Sequence, residues 1–218
     1  MKRTKHTILE IIDLTPGTFI LRLDRKGVQF EPGQYVVLRM PHEQKGREYS
    51  IFSATTDDYL DFLIREIPVP VGEFSPYLHH MQSGSEIDIE GPKGYFVLDN
   101  RSKQGNPVLL IASGTGIAPF HSFVKSYTDL NYKVLHGVRF ASEAYGRESF
   151  NPENYIVCSS RRDDGDYFGR VTNYLEETNV DKDTICYLCG NSNMIDQVTT
   201  ILENKGLPPE NIRTEVFF

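Results

Sequence analysis

Along the first hundred residues, apolar positions recur at every second place. The runs HTILEIIDL, FILRLD, YVVLRMP, YLDFLIREI and SEIDIEG alternate apolar with polar residues or are β-branched, and Gly, Pro or Asp separates them. That is the period of half-buried strands, and short strands at this spacing predict an antiparallel barrel or sandwich. One segment breaks the pattern. After Gly72, residues Phe74, Tyr77, Leu78 and Met81 recur at helical spacing, which predicts a helix over 74–81.

The pattern changes near Asn100. The stretch NRSKQGN is polar and reads as a loop, so the domain boundary is expected there, with domains over 1–102 and 103–218. Beyond it, PVLLIA is a short, wholly apolar strand of the kind a buried parallel sheet uses. Further strands are expected at Lys133–Val138, Tyr155–Cys158, Thr184–Leu188 and Asn211–Glu215. Helices are expected between them at Ile117–Ser126, Val171–Glu177 and Asn193–Lys205. Strands alternating with helices predict a doubly wound α/β domain with a parallel sheet.

Composition narrows the function classes. With 39% hydrophobic and 24% charged residues the chain falls among ordinary soluble proteins, and 218 residues leave room for two small cores. A net charge of −7 without a Lys/Arg-rich run argues against nucleic acid as a partner. No stretch nears the roughly 20 apolar residues of a membrane span. The opening KRTKHTILEIIDLT begins like a signal peptide, but Glu10 and Asp13 interrupt it, so a cytoplasmic protein is expected. Three cysteines suit a reduced compartment. Cys186 and Cys189 form a C-x-x-C, but only Cys158 remains to complete a metal site, so no metal is expected.

The segment Ser113-Gly114-Thr115-Gly116-Ile117-Ala118-Pro119 follows an apolar strand directly and opens a helix. Glycines allow a sharp turn and close approach of a ligand, and the amides at the helix start favour a pyrophosphate. Pro119 suits a first helical turn, where its missing N–H costs nothing. A second candidate is Arg47-Glu48-Tyr49-Ser50-Ile51-Phe52-Ser53 on an expected strand. Alternation places Arg47, Tyr49, Ile51 and Ser53 on one face and Ser50 and Phe52 on the other.

The run R-E-Y-S-I-F-S resembles the R-x-Y-S-x-x-S flavin signature of the ferredoxin–NADP reductase superfamily. Other marks of that family follow in order: Gly72-Glu73-Phe74-Ser75, Gly91-Pro92-Lys93-Gly94-Tyr95-Phe96, Gly114–Pro119, Cys189-Gly190-Asn191-Ser192-Asn193-Met194 and the ending Glu215-Val216-Phe217-Phe218. The resemblance covers nearly the whole chain. It implies a six-stranded antiparallel flavin-binding barrel followed by a nicotinamide-binding α/β domain, in agreement with the periodicity. It also implies FAD as cofactor, with Arg47 clamping the pyrophosphate through a planar fork of donors. Ser75 would add to the same phosphates, and Tyr49 would pack on the isoalloxazine. Ser50 would point towards flavin N5, and Ser53, Ile64, Arg65, Gly72 and Phe74 complete the implied flavin site.

For the nicotinamide nucleotide the resemblance implies Gly114, Thr115, Gly116 and Pro119 at the pyrophosphate, and Cys189, Gly190 and Met194 near the nicotinamide. Cys158 and Cys186 read instead as small buried hydrophobes. Glu215 would bond the Ser50 hydroxyl and handle protons, which makes Ser50, Cys189 and Glu215 the implied catalytic set. Phe217, or the additional Phe218, would stack on the flavin. Ser160, Arg161 and Arg170 offer the hydroxyl and fixed positive charge that a 2′-phosphate needs, which favours NADP, with NAD still open. Two features weigh against the phosphate: Thr172 stands where plant-type members place a tyrosine, and Asp163, Asp164 and Asp166 lie close by.

The expected function is a monomeric reductase passing electrons from NADPH through FAD to a separate carrier. Ferredoxin or flavodoxin is the family default, and no four-cysteine pattern is present to hold an iron–sulfur cluster. Two alternatives stay open. One is an NADH-dependent reductase serving an oxygenase or free flavin; the other is a non-catalytic relay subunit of a larger complex.

Overall fold

A computed structural model describes residues 3–40 and 46–217, and the chain divides into two compact units, Met1–Val97 and Leu98–Phe218.

The first unit strings together β1 (Arg3–Thr15), β2 (Thr18–Asp24), β3 (Tyr35–Arg39), β4 (Gly46–Ser50), β5 (Tyr59–Arg65), α1 (Phe74–His79) and β6 (Glu86–Lys93). They form one six-stranded antiparallel sheet in the order β4-β3-β6-β1-β2-β5. The long β1 serves two partners, with register shifts at Ile8/Glu10 and Asp13/Thr15, because irregularities of this kind bend a strand. Phe52 N–H donates to the Asp61 carbonyl at 2.8 Å, which draws the chain leaving β4 onto β5 and brings the two ends of the sheet together. Phe19, Leu21 and Leu23 of β2 meet Leu60, Phe62 and Ile64 of β5 and Ile87 and Ile89 of β6 in a dry core. Each such side chain contributes about 1.5–3 kcal/mol by leaving water.

The second unit contains α2 (Asn100–Lys103), β7 (Val108–Ser113), a 3₁₀ turn at Gly114–Ile117, α3 (Ala118–Ser126), β8 (Tyr132–Val138), β9 (Tyr155–Ser159), β10 (Tyr167–Phe168), α4 (Val171–Glu177), β11 (Ile185–Gly190), α5 (Ser192–Asn204) and β12 (Ile212–Val216). Its sheet is parallel throughout, in the order β10-β9-β8-β7-β11-β12. The chain steps outward from β7 to β10, then returns to the other side of β7 as β11. The strand order therefore reverses between β7 and β11, the place where open α/β sheets leave a crevice for ligands. Ile195, Val198 and Leu202 make one stripe of α5 and pack with Val171 and Leu175 of α4 on Leu109, Ile111, Leu135 and Leu188.

Four local expectations change. The polar NRSK is a helical turn, because the Asp99 carboxylate caps it by accepting from Ser102 N at 2.8 Å. Arg101 reaches Asn211 Oδ1 at 2.9 Å and Asp99 N donates to the Tyr187 hydroxyl at 2.9 Å, so this turn is tied to the second unit. The division accordingly falls at Val97/Leu98, where the pattern placed it at 102/103. β4 ends at Ser50, so the alternation drawn from Arg47 to Ser53 stops halfway: Ser50, Ile51, Phe52 and Ser53 are all buried. β11 runs on to Gly190, and the two-residue β10 carries too short a period to be read. Among the described residues no helix is long and apolar enough to cross a membrane.

Candidate functional site

In the first unit the flavin-signature residues lie on β4 and the turn after it. Arg47 is exposed, and its only side-chain bond among the described residues runs to the Gly46 carbonyl at 3.2 Å. Tyr49 is half-buried with its ring 6.3 Å from that of Phe74 and 20° from parallel, and burial pushes its phenol above the ordinary value. The Ser53 Oγ accepts from Asp61 N at 3.1 Å, which holds the turn after β4 on β5. The Asp61 carboxylate in turn holds Arg22 through two contacts of 2.8 and 2.9 Å, which joins β2 to β5. Ile64 puts its side chain into the core, whereas Arg65 is exposed at the end of β5.

Gly72 closes on Ile67 so tightly that a Cβ would come within 2.8 Å of its side chain and carbonyl, which seats the chain for Phe74 and Ser75. The Ser75 oxygen accepts from Ile67 N at 2.9 Å, and its proton stays available for donation. Phe74 thus brings the start of α1 beside Tyr49 of β4, with Ser75 the next residue of the helix.

In the second unit two loops interlock at the point where the strand order reverses. Gly114 takes φ +53°, a left-handed conformation glycine adopts at no steric cost. Gly116 has no room for a side chain, because a Cβ would overlap the Cys189 carbonyl. Ser113 Oγ accepts from Asn191 N at 3.0 Å and binds the two loops together. Pro119 lies buried in the first turn of α3. Cys189 pairs across the sheet with Ala112 on one side and Glu215 on the other. Burial, with the Glu215 carboxylate beside it, pushes the Cys189 thiol well above its ordinary range, so it stands as a neutral thiol. Cys158 and Cys186 are buried and pushed up to about 12.

Gly190 accepts from Phe217 N at 2.8 Å, which carries the chain end past β11 with Phe217 partly exposed; Phe218 lies outside the described residues. Met194 turns inward and packs against the α5 core. Cys189 and Glu215 are thus brought together, whereas Ser50 belongs to the first unit.

Phe168 pairs with Ser159 across parallel strands, so Arg161 and Arg170 each sit two residues beyond paired positions, at the carboxyl ends of neighbouring strands. Both are exposed, and neither forms an ion pair among the described residues. Ser160 beside them donates to the Val138 carbonyl at 3.1 Å. Two of the three neighbouring acids are engaged elsewhere, Asp166 with Arg147 at 3.1 Å and Val157 N at 2.8 Å and Asp164 with Ala141 N at 3.1 Å, while Asp163 is exposed. Thr172 is buried. Sequence reasoning passed over His136, whose Nε2 lies 2.8 Å from the Gly114 carbonyl; the one available signal is a histidine inside the apolar run KVLHGV.

Residues 9–98 match the oxidoreductase FAD-binding domain model, and residues 110–200 match the oxidoreductase NAD-binding domain model. The chain belongs to the ferredoxin–NADP reductase superfamily. It is similar to the ferredoxin–NAD(P)+ reductase component of the naphthalene 1,2-dioxygenase system of Pseudomonas putida, 29% identical over 88% of this chain and 62% of that one. It is also similar to the toluate 1,2-dioxygenase electron transfer component of Pseudomonas putida, 31% identical over 86% of this chain and 59% of the relative. The chain therefore spans about three fifths of the length of these relatives. The crystal structure of a Neisseria gonorrhoeae ferredoxin NADP+ reductase with bound FAD and NADP shares the fold, with a TM-score of 0.86, 22% identity and full coverage of both chains. Superfamily membership accounts for the two-unit plan, an FAD-binding domain followed by an NAD(P)-binding domain.

Proposed function

We propose that this chain is an NADPH-dependent flavoprotein reductase that hands electrons singly to a separate carrier protein such as a ferredoxin or flavodoxin. Bound FAD would supply the chemistry, since a flavin can take two electrons from a nicotinamide and release them one at a time. The residues fit the group. Arg47 offers a planar donor fork to the pyrophosphate, Ser75 a hydroxyl proton, and Tyr49 a ring face backed by Phe74. Ser50 supplies a hydroxyl for the flavin edge. The interlocked Ser113–Gly116 and Cys189–Gly190 loops would take the nucleotide pyrophosphate and the nicotinamide end. Cys189, kept as a neutral thiol, would pack and orient the nicotinamide rather than attack it, and Glu215 beside it would hold a proton within reach.

The observation that carries the choice of NADPH is the paired placement of Arg161 and Arg170 at the ends of β9 and β10, free of carboxylate partners. A dianionic 2′-phosphate suits two such guanidinium groups. A second reading, the reductase component of an oxygenase system, is favoured by the names of the naphthalene and toluate dioxygenase relatives. The test is a parallel anaerobic titration of the purified, flavin-loaded protein with NADPH and NADH, with the flavin released and chromatographed. FAD bleached at lower NADPH than NADH is expected. FMN in place of FAD, or bleaching by neither nucleotide, would refute the proposal, and preference for NADH would move it to the oxygenase reading.

A further inference from the structure

Tyr155, His136 and Gly114 form a polar file through the interior of the second unit. His136 lies on β8, is completely buried, and neighbours Ala112 of β7 in register. Its Nε2 is 2.8 Å from the Gly114 carbonyl oxygen, and its Nδ1 is 2.6 Å from the Tyr155 hydroxyl. The proton positions follow from the partners. A carbonyl can only accept, so Nε2 carries the hydrogen and donates. Burial keeps the ring neutral and lowers its pKa to about 4, which leaves Nδ1 bare. Nδ1 then accepts from Tyr155, whose phenolic proton burial holds firmly in place. Phe150, 4.7 Å from the Tyr155 ring, and Arg147, 5.8 Å above it, fix the far end of the file.

The bond has a consequence for the loop. In a trans peptide the carbonyl and the following N–H point in opposite directions. Anchoring the Gly114 carbonyl on His136 therefore turns the Thr115 N–H away from β8. Glycine tolerates either orientation of this peptide, so steric repulsion does not choose between them. The bond from His136 does, together with the 3₁₀ turn that begins at Gly114.

We propose that His136, oriented by Tyr155, is a positioning residue for nucleotide binding, which sets the Gly114–Thr115 peptide so that the loop presents its amide to the pyrophosphate. This rests on the reading of Ser113–Pro119 as the pyrophosphate loop. The experiment compares the flavin-loaded parent with His136→Met, which cannot donate, and His136→Gln, whose amide nitrogen replaces the Nε2 donor. NADP+ affinity is measured by calorimetry, flavin reduction by stopped flow, and the His136 tautomer in the parent by nitrogen NMR.

The Nε2–H tautomer is expected. His136→Met should bind NADP+ about tenfold more weakly, the scale of one lost buried hydrogen bond. The loss should appear in KM rather than in the limiting reduction rate, and His136→Gln should recover most of it. A folded His136→Met with parental affinity, a Gln variant no better than Met, or an Nδ1–H tautomer would overturn the inference. Should His136→Met fail to fold, Tyr155→Phe decides: weaker nucleotide binding with unchanged flavin content supports the role, and parental affinity refutes it. A parent that binds no nicotinamide nucleotide would instead bring down the functional reading beneath it.

Discussion

The imidazole of His79 lies flat on the ring of Phe19, 4.3 Å between centroids and 4° from parallel. Its two nitrogens meet Glu66 at 2.5 Å and Asp13 at 2.7 Å, so the end of α1 is clamped to β1 and to the chain leaving β5. Burial alone would lower the His79 pKa, but the bonds to Glu66 and Asp13 prevail and raise it above the ordinary 6.5. A raised folded pKa means a contribution fully present below about pH 6.5 and lost as pH rises through the folded value. Thermal melts from pH 5.5 to 9 should show the parent losing stability relative to His79→Gln as the solution turns alkaline. Flavin retention should follow, because α1 carries Ser75. Parallel melting curves for the two proteins would exclude the clamp.

Asp61 is 4% exposed and grips Arg22, which also lies 3.8 Å over the Tyr59 ring. Asp61→Ala should cost about 3 kcal/mol, the low end for breaking a buried pair, because Arg22 keeps some contact with water. Asp61→Asn, which retains an acceptor, should cost less. Urea denaturation of both variants measures the difference, and a loss within 1 kcal/mol for alanine would mean that β2 and β5 are held by their backbone ladder and packing.

Arg161→Ala and Arg170→Ala should each raise KM for NADPH roughly tenfold or more and leave NADH almost unchanged. The expected size is that of a charge-assisted hydrogen bond, about 1.5–3 kcal/mol. Steady-state kinetics with both nucleotides give the comparison. Equal effects on the two would place the 2′-phosphate elsewhere.

Ser50→Ala and Cys189→Ala should slow flavin reduction at saturating nucleotide far more than they weaken nucleotide binding, since groups at the reacting edge contribute mainly in the transition state. Because the thiol is neutral and wholly covered while no nucleotide is bound, Cys189 should also resist iodoacetamide at pH 8 in the nucleotide-free folded protein. Stopped-flow traces and mass spectrometry read the two effects separately. An unchanged reduction rate would leave both residues with packing roles alone.

The alternation of TFILRLD and the apolar run of VLLIAS decided their own elements, because a period of two and an unbroken apolar strand each have one low-energy way to meet water and core. The ordered motifs from Arg47 to Phe217 were equally legible, since they are local in the chain. What the sequence by itself did not determine was decided by contacts between distant residues. Only the folded sheet sets Cys189 beside Glu215, puts Arg161 and Arg170 at neighbouring strand ends, and brings the Gly116 backbone against the Cys189 carbonyl. Ser53 accepts from Asp61 N only once β5 lies beside the turn after β4, and His136 reads as one polar residue in an apolar strand until Gly114 and Tyr155 close on its two nitrogens. Hydrogen-bond partners separated by 8 to 22 residues leave no periodic trace, because direction and distance arise only when the strands pair.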